Sequence, residues 1–175
     1  MAMAGLMLSG CGTTALAPVS TSLPAQTSAQ SVTADSGYTE GLHYASLELL
    51  GMTPKEARNL ANEGAHSAGD LLRLAAKPSE RQRLAAKTGM PPSRLLTFVN
   101  YADLMRITGV GPRYSFLLED AGVDTVAELA QRNPDSLFAT VKRVNNSVIV
   151  FRRPSAEQIK TWVSRARTLP RAVEY

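Results

Sequence analysis

A repeat constrains this chain more than any other feature. The stretch "LLGMTPKEARNLANEGAHSAGDLL" returns in pattern as "RITGVGPRYSFLLEDAGVDTVAEL". Gly51 falls on Gly109, Pro54 on Pro112, Leu60 on Leu118, Gly64 on Gly122 and Leu71 on Leu129, all at a constant offset. Further on, "LLTFVNYA" falls on "IKTWVSRA", pairing Leu95 with Ile159, Phe98 with Trp162, Val99 with Val163 and Ala102 with Ala166. There the offset has grown by six, so the second copy carries an insertion. It is expected in "NNSVIVFRR", residues 145 to 153, the one apolar β-branched run, as a short extended loop or hairpin. Two copies of one unit, at about residues 47–104 and 105–169, limit the fold to an architecture built twice.

The local signals inside each copy are helical. Thr53-x-x-Glu56, Ser79-x-x-Gln82, Thr125-x-x-Glu128 and Ser155-x-x-Gln158 are capping-box patterns. In each, the first side chain satisfies an orphan N–H at a helix start and the fourth reaches back. Pro54, Pro112 and Pro134 suit the first helical position, where no N–H is needed. Gly64 and Gly122 suit helix ends that require a positive φ. The last helix of each copy carries apolar residues at i, i+3, i+4 and i+7: Leu95, Phe98, Val99 and Ala102, then Ile159, Trp162, Val163 and Ala166. That spacing makes one buried face. A single copy is small for an independent core, so the copies are expected to pack on each other as one pseudo-symmetric all-α domain.

Charge separates this part from the N-terminus. All 19 Lys and Arg lie from Lys55 onward, against 12 acidic side chains, a surplus of seven. A basic surface favours an anionic partner such as nucleic acid, phospholipid head groups or an acidic protein. Residues 12–40 are by contrast rich in Ser, Thr, Ala, Gln and Pro and almost uncharged. Such a segment buries too little surface to offset its ordering entropy and reads as a disordered tether. Before it stands an uncharged apolar run, MAMAGLMLSG, ending at Cys11, the only cysteine. Leu8-Ser9-Gly10-Cys11 resembles the lipobox of bacterial lipoproteins, in which the cysteine receives a diacylglyceryl group and palmitate-class acyl chains. On that resemblance residues 1–11 are a truncated lipoprotein signal, its positive n-region lying upstream. Gly12, rather than Asp, after the cysteine resembles the rule for outer-membrane destination. Nothing after residue 12 approaches the roughly 18 consecutive apolar residues of a spanning helix, so attachment would be by lipid.

The segment "LMRITGVGPRYSFLLEDAGVDTVAELA" resembles a helix-hairpin-helix motif: a helix ending near Ile107, a Gly109-Val110-Gly111 hairpin, and Pro112 opening the next helix. Residues 41–171 as a whole are similar to the tandem helix-hairpin-helix family known as domain of unknown function 4332. The resemblance rests on Arg132-Asn133-Pro134 and on Arg152-Arg153-Pro154-Ser155 ahead of Trp162. It implies a site. In DNA-binding relatives of the motif the glycines let a phosphate approach backbone N–H groups at a helix N-terminus. Here that role would fall to Gly109, Val110, Gly111 and Arg113. The first copy is degenerate, reading Gly51-Met52-Thr53 with Thr53 in place of the second glycine, though Lys55 keeps the basic position.

Catalysis is not expected. No carboxylate pair, Ser/His/Asp arrangement or P-loop is present. The two histidines, His43 and His66, lack ligand spacing, and one cysteine makes neither a disulfide nor a cysteine metal site. No cofactor and no small-molecule substrate is implied. The expected function is that of a non-catalytic lipoprotein of the bacterial envelope, at the outer membrane facing the periplasm. Its helical module would bind a protein or envelope component. The alternative is a cytoplasmic chain that binds DNA without sequence preference through Gly109–Gly111. Nucleic acid is a partner only in that compartment.

Overall fold

In the structure, a computed structural model, residues 46–144 and 153–175 are described. The signal at 1–11, the tether at 12–40 and all but Arg153 of the insertion expected at 145–153 lie outside the described residues. Within them every regular element is helical. A 3-10 turn, Leu47–Leu50, precedes α1 (Pro54–Asn62), α2 (Ala68–Ala75), α3 (Pro78–Thr88) and α4 (Pro92–Leu104). Then follow α5 (Pro112–Asp120), α6 (Val126–Gln131), α7 (Pro134–Val144) and α8 (Ala156–Ala166).

The second four helices repeat the first four in order, and the local causes repeat with them. Gly51 and Gly109 take φ of 86° and 93° ahead of Pro54 and Pro112. Gly64 and Gly122 take 87° and 78° where α1 and α5 end. A Cβ is disfavoured there by clash with the following carbonyl. Thr53 and Ser155 form complete capping boxes with Glu56 and Gln158. Thr125 caps α6 through the Glu128 N–H, while the Glu128 carboxylate accepts from the Asp124 amide. Ser67 and Asp70 do the same at α2, with His66 as the amide. The box expected at Ser79 and Gln82 does not form. Pro78 takes the first helical position, so α3 starts earlier, with Lys77 as an N-cap that makes no side-chain bond. The helix expected to reach Ile107 ends at Leu104, and the chain turns through to Gly109. The copies also differ in length at their second helix, eight residues in α2 and six in α6.

The halves pack on each other, and each also buries an apolar face of its own. The buried apolar residues form two clusters, one in each half. Leu60, Leu71, Leu95, Phe98 and Val99 anchor the first, and Leu118, Leu129, Ile159, Trp162 and Val163 the second. Each fully buried leucine or isoleucine contributes about 1.5–3 kcal/mol of transfer free energy. The paired stripes are therefore in register: each half wraps its own last helix.

The halves meet where α4 runs into α5. Tyr101 packs edge-on against Phe116, ring centroids 4.6 Å apart, and its hydroxyl donates to Glu119. Burial and then the Glu119 carboxylate push the Tyr101 phenol well above its ordinary pKa. The last turn of α4 also supplies the carboxylate of a buried ion pair. Asp103 Oδ1 accepts from Arg106 Nη1 at 2.7 Å, and both side chains are nearly fully enclosed. Asp103 Oδ2 accepts from the Val126 N–H at 2.8 Å, fixing the first residue of α6 to the last turn of α4. Arg106 Nη2 donates to the Pro170 carbonyl at 3.0 Å.

Candidate interaction face at the second hairpin

The two hairpins share a backbone and differ in what closes them. In the first, Gly51 donates to the Glu48 carbonyl, and Thr53 occupies the N-cap of α1. The Thr53 N–H and hydroxyl both donate to Glu56 Oε2, at 2.8 and 2.9 Å. Arg94 holds the same carboxylate from α4, Nε to Oε1 at 2.5 Å and Nη2 to Oε2 at 3.1 Å. Its guanidinium also lies 5.0 Å from the centre of the Phe98 ring. The Arg94 bond holds the Glu56 carboxyl down at a pKa of about 2, against the opposing effect of burial. A carboxylate thus occupies the helix N-terminus, the place where an external anion would sit. Lys55 stands exposed beside it.

In the second hairpin no side chain among the described residues takes that place. Gly111 is the N-cap of α5, at φ −97° and ψ −177°. Its carbonyl accepts from the Tyr114 and Ser115 amides, each at 3.0 Å. Val110 is buried and its N–H donates to the Ile107 carbonyl at 2.9 Å, so that amide serves the turn. Gly109 is exposed and stands against Trp162: a Cβ there would lie 3.4 Å from the indole Nε1. Tyr114 packs tilted against the same indole, at 5.0 Å between rings. Arg113 points to solvent, and Arg165 Nη1 donates to the Thr108 carbonyl at 2.6 Å.

A shallow cleft of about 370 Å³ runs along this hairpin, lined by Leu49, Gly109, Gly111, Pro112, Arg113 and Tyr114. Leu49 comes from the 3-10 turn of the first half and is 58 % exposed, unusual for a large aliphatic side chain among the described residues. The four predicted residues Gly109, Val110, Gly111 and Arg113 are thus together, with Leu49 and Tyr114 added by the fold. Gly51, Thr53 and Lys55 form their own separate turn. Cys11 lies outside the described residues.

Sequence reasoning missed a second cleft, of about 490 Å³, lined among others by Gly51, Arg94, Phe98, Tyr101 and Phe116. It also missed the buried cations Arg81 and Arg106. Arg81 had a usable signal: with Leu84, Ala85 and Thr88 it occupies the buried positions of α3, where an apolar residue is expected. Among the described residues no cluster of three or more His, Cys, Asp or Glu is arranged to hold a metal ion. None of the described helices is long and apolar enough to cross a membrane.

Fold and face together define an all-helical duplicated domain with one self-capped hairpin and one open one. The chain belongs to the family described as Domain of unknown function (DUF4332), whose pattern matches residues 50–169. No curated protein and no solved structure matches it.

Proposed function

We propose that this chain is a non-catalytic lipoprotein of the bacterial envelope, anchored through an acylated Cys11 at the outer membrane and facing the periplasm. Its duplicated helical domain is a tandem helix-hairpin-helix interaction module that docks a protein or envelope partner on the second hairpin. The observation that carries the docking face is exposed Leu49 beside Pro112 and Tyr114, with Arg113 in the same cleft. Aromatic residues and arginine are enriched in protein-contact patches. The lipobox-like run and the polar segment after it support the anchor.

Two measurements test this reading. Membrane fractionation of the native host should find the wild type with the membrane and Cys11→Ser released. Equal partition of the two refutes the anchor. A photo-crosslinking residue placed at Leu49 should trap a defined adduct in cells, and one at Lys55 should not. Matching patterns at both positions refute the assignment to the second hairpin.

The second reading, DNA binding by a cytoplasmic chain, draws on the open N-cap at Gly111 and the exposed Arg113. It requires binding that falls steeply with salt, with a log–log slope of about −0.9 per phosphate contact, lowered by about one unit in Arg113→Ala. Tight, salt-sensitive binding lost in a folded Arg113→Ala would replace the first reading with this one.

A further inference from the structure

We propose that residues 170–175 are a latch that closes the duplicated domain on itself, tying the exit of the second half into the core of the first. After α8 the chain leaves the second half and crosses back. The Pro170 carbonyl accepts from Arg106. Val173 is 2 % exposed and belongs to the first core, with Ala172 packed beside it. The Glu174 N–H donates to the Ala76 carbonyl at 3.0 Å, and the Glu174 carbonyl accepts from Arg81 Nη2. The Tyr175 hydroxyl donates to Asn100 Oδ1 at 3.2 Å.

Arg81 is the seat. Its Nη1 donates to the Ala75 and Ala76 carbonyls at 3.0 and 2.6 Å. These stand at the C-terminus of α2, where helix carbonyls lack intrahelical partners and the dipole favours a cation. The forked guanidinium binds the helix end on one side and the latch on the other. The second half has no such seat: at the matching fourth position of α7 stands Leu137, an ordinary core residue. The latch also lies just past Leu169, where the family match ends.

One buried valine, the partly buried Ala172 and four hydrogen bonds hold the latch, against a full apolar cluster holding each half. Elements with few apolar contacts open below the global unfolding free energy. Release empties the Val173 place in the first core and strips Arg81 of one acceptor. The second core, which contains no latch residue, is left intact. The two halves then unfold separately.

The test is hydrogen exchange on the full chain. In Val173→Asp, amides of α2 and α3 should exchange at least about tenfold faster, and those of α6 and α8 less than about twofold faster. Fluorescence of Trp162, the sole tryptophan, should follow the second half alone. Its melting curve should coincide with circular dichroism in the wild type and lag behind it in the variant. Val173→Ala, which empties the same place without adding charge, should act in the same direction and serves if the Asp variant does not fold. Equal acceleration in both halves, no acceleration in the first, or coincident melting curves in the variant would each overturn the latch.

Discussion

Replacing Asp103 by Ala tests the joint between the halves. The carboxylate is 2 % exposed, and each of its oxygens accepts a hydrogen bond: Oδ1 from Arg106 at 2.7 Å and Oδ2 from the Val126 amide at 2.8 Å. Burial pushes this carboxyl up, and the Arg106 guanidinium and the Val126 amide pull it back down. Deleting it leaves Arg106, itself 3 % exposed, without its carboxylate. Breaking a buried pair from one side costs about 3–5 kcal/mol. The Val126 N–H, at the start of α6, also loses its acceptor, which by itself costs about 1–3 kcal/mol. Both losses follow from one carboxylate and do not add. The expected destabilisation is therefore roughly 4 kcal/mol, a fall in Tm on the order of 10–20 °C. Asp103→Asn keeps an oxygen for the Val126 amide and should cost less. Asp103→Leu combined with Arg106→Met removes both charges and should recover much of the loss, since apolar replacement of a buried pair is often close to neutral. Urea unfolding at neutral pH, followed by circular dichroism and by Trp162 fluorescence, reads all four proteins. A loss below about 1 kcal/mol in Asp103→Ala, or a double variant no better than the single, would refute the assignment of the pair as the joint.

Two further outcomes follow from the hairpins. Gly109→Ala should cost about 1–2 kcal/mol because φ is 93° and the new methyl meets Trp162, whereas Gly111→Ala should stay within about 0.5 kcal/mol, its φ of −97° being open to any residue and its surroundings empty; thermal melts that rank the two in the opposite order refute the backbone account. The Glu56–Arg94 pair should contribute only about 1 kcal/mol or less, since Arg94 is 43 % exposed to screening solvent. Because the Glu56 pKa is lowered on folding, from 4.5 to about 2, that contribution is present above pH 4.5 and lost as pH falls toward 2. The stability gap between wild type and Arg94→Met should therefore close over that window, and a gap independent of pH shows that the pair is not its source.

Much of the fold was legible because its causes are local. A capping box spans four residues, and Thr53–Glu56 and Ser155–Gln158 are read from the chain alone. Ser79 shows the limit of that reading: Pro78 takes the first helical position, two residues before a helix capped by Ser79 would begin. Ser67–Asp70 does not fit the capping-box pattern, whose fourth residue is Glu or Gln, although it caps α2 as Thr125 caps α6. At the candidate site, glycine identity alone does not separate Gly109, whose backbone needs it, from Gly111, whose backbone does not. Leu49 could not be assigned to the second hairpin at all, because it lies in the other copy.

By itself, then, the sequence determined the duplication, the helical period, the turn glycines and which face of α4 and α8 is buried. These depend on residues within a turn or two of each other, or on the second copy repeating the first. Only the tertiary structure decided that there are two cores rather than one, that Asp103 and Arg106 meet inside the joint, and that Val173 returns to the first half. Each of these joins residues far apart in the chain through shared burial. Arg81 makes the difference plain. On its own it is a cation in an apolar register, a mismatch in the helix pattern. The fold surrounds it with the carbonyls of Ala75, Ala76 and Glu174, and a buried charge becomes favourable only where such acceptors converge.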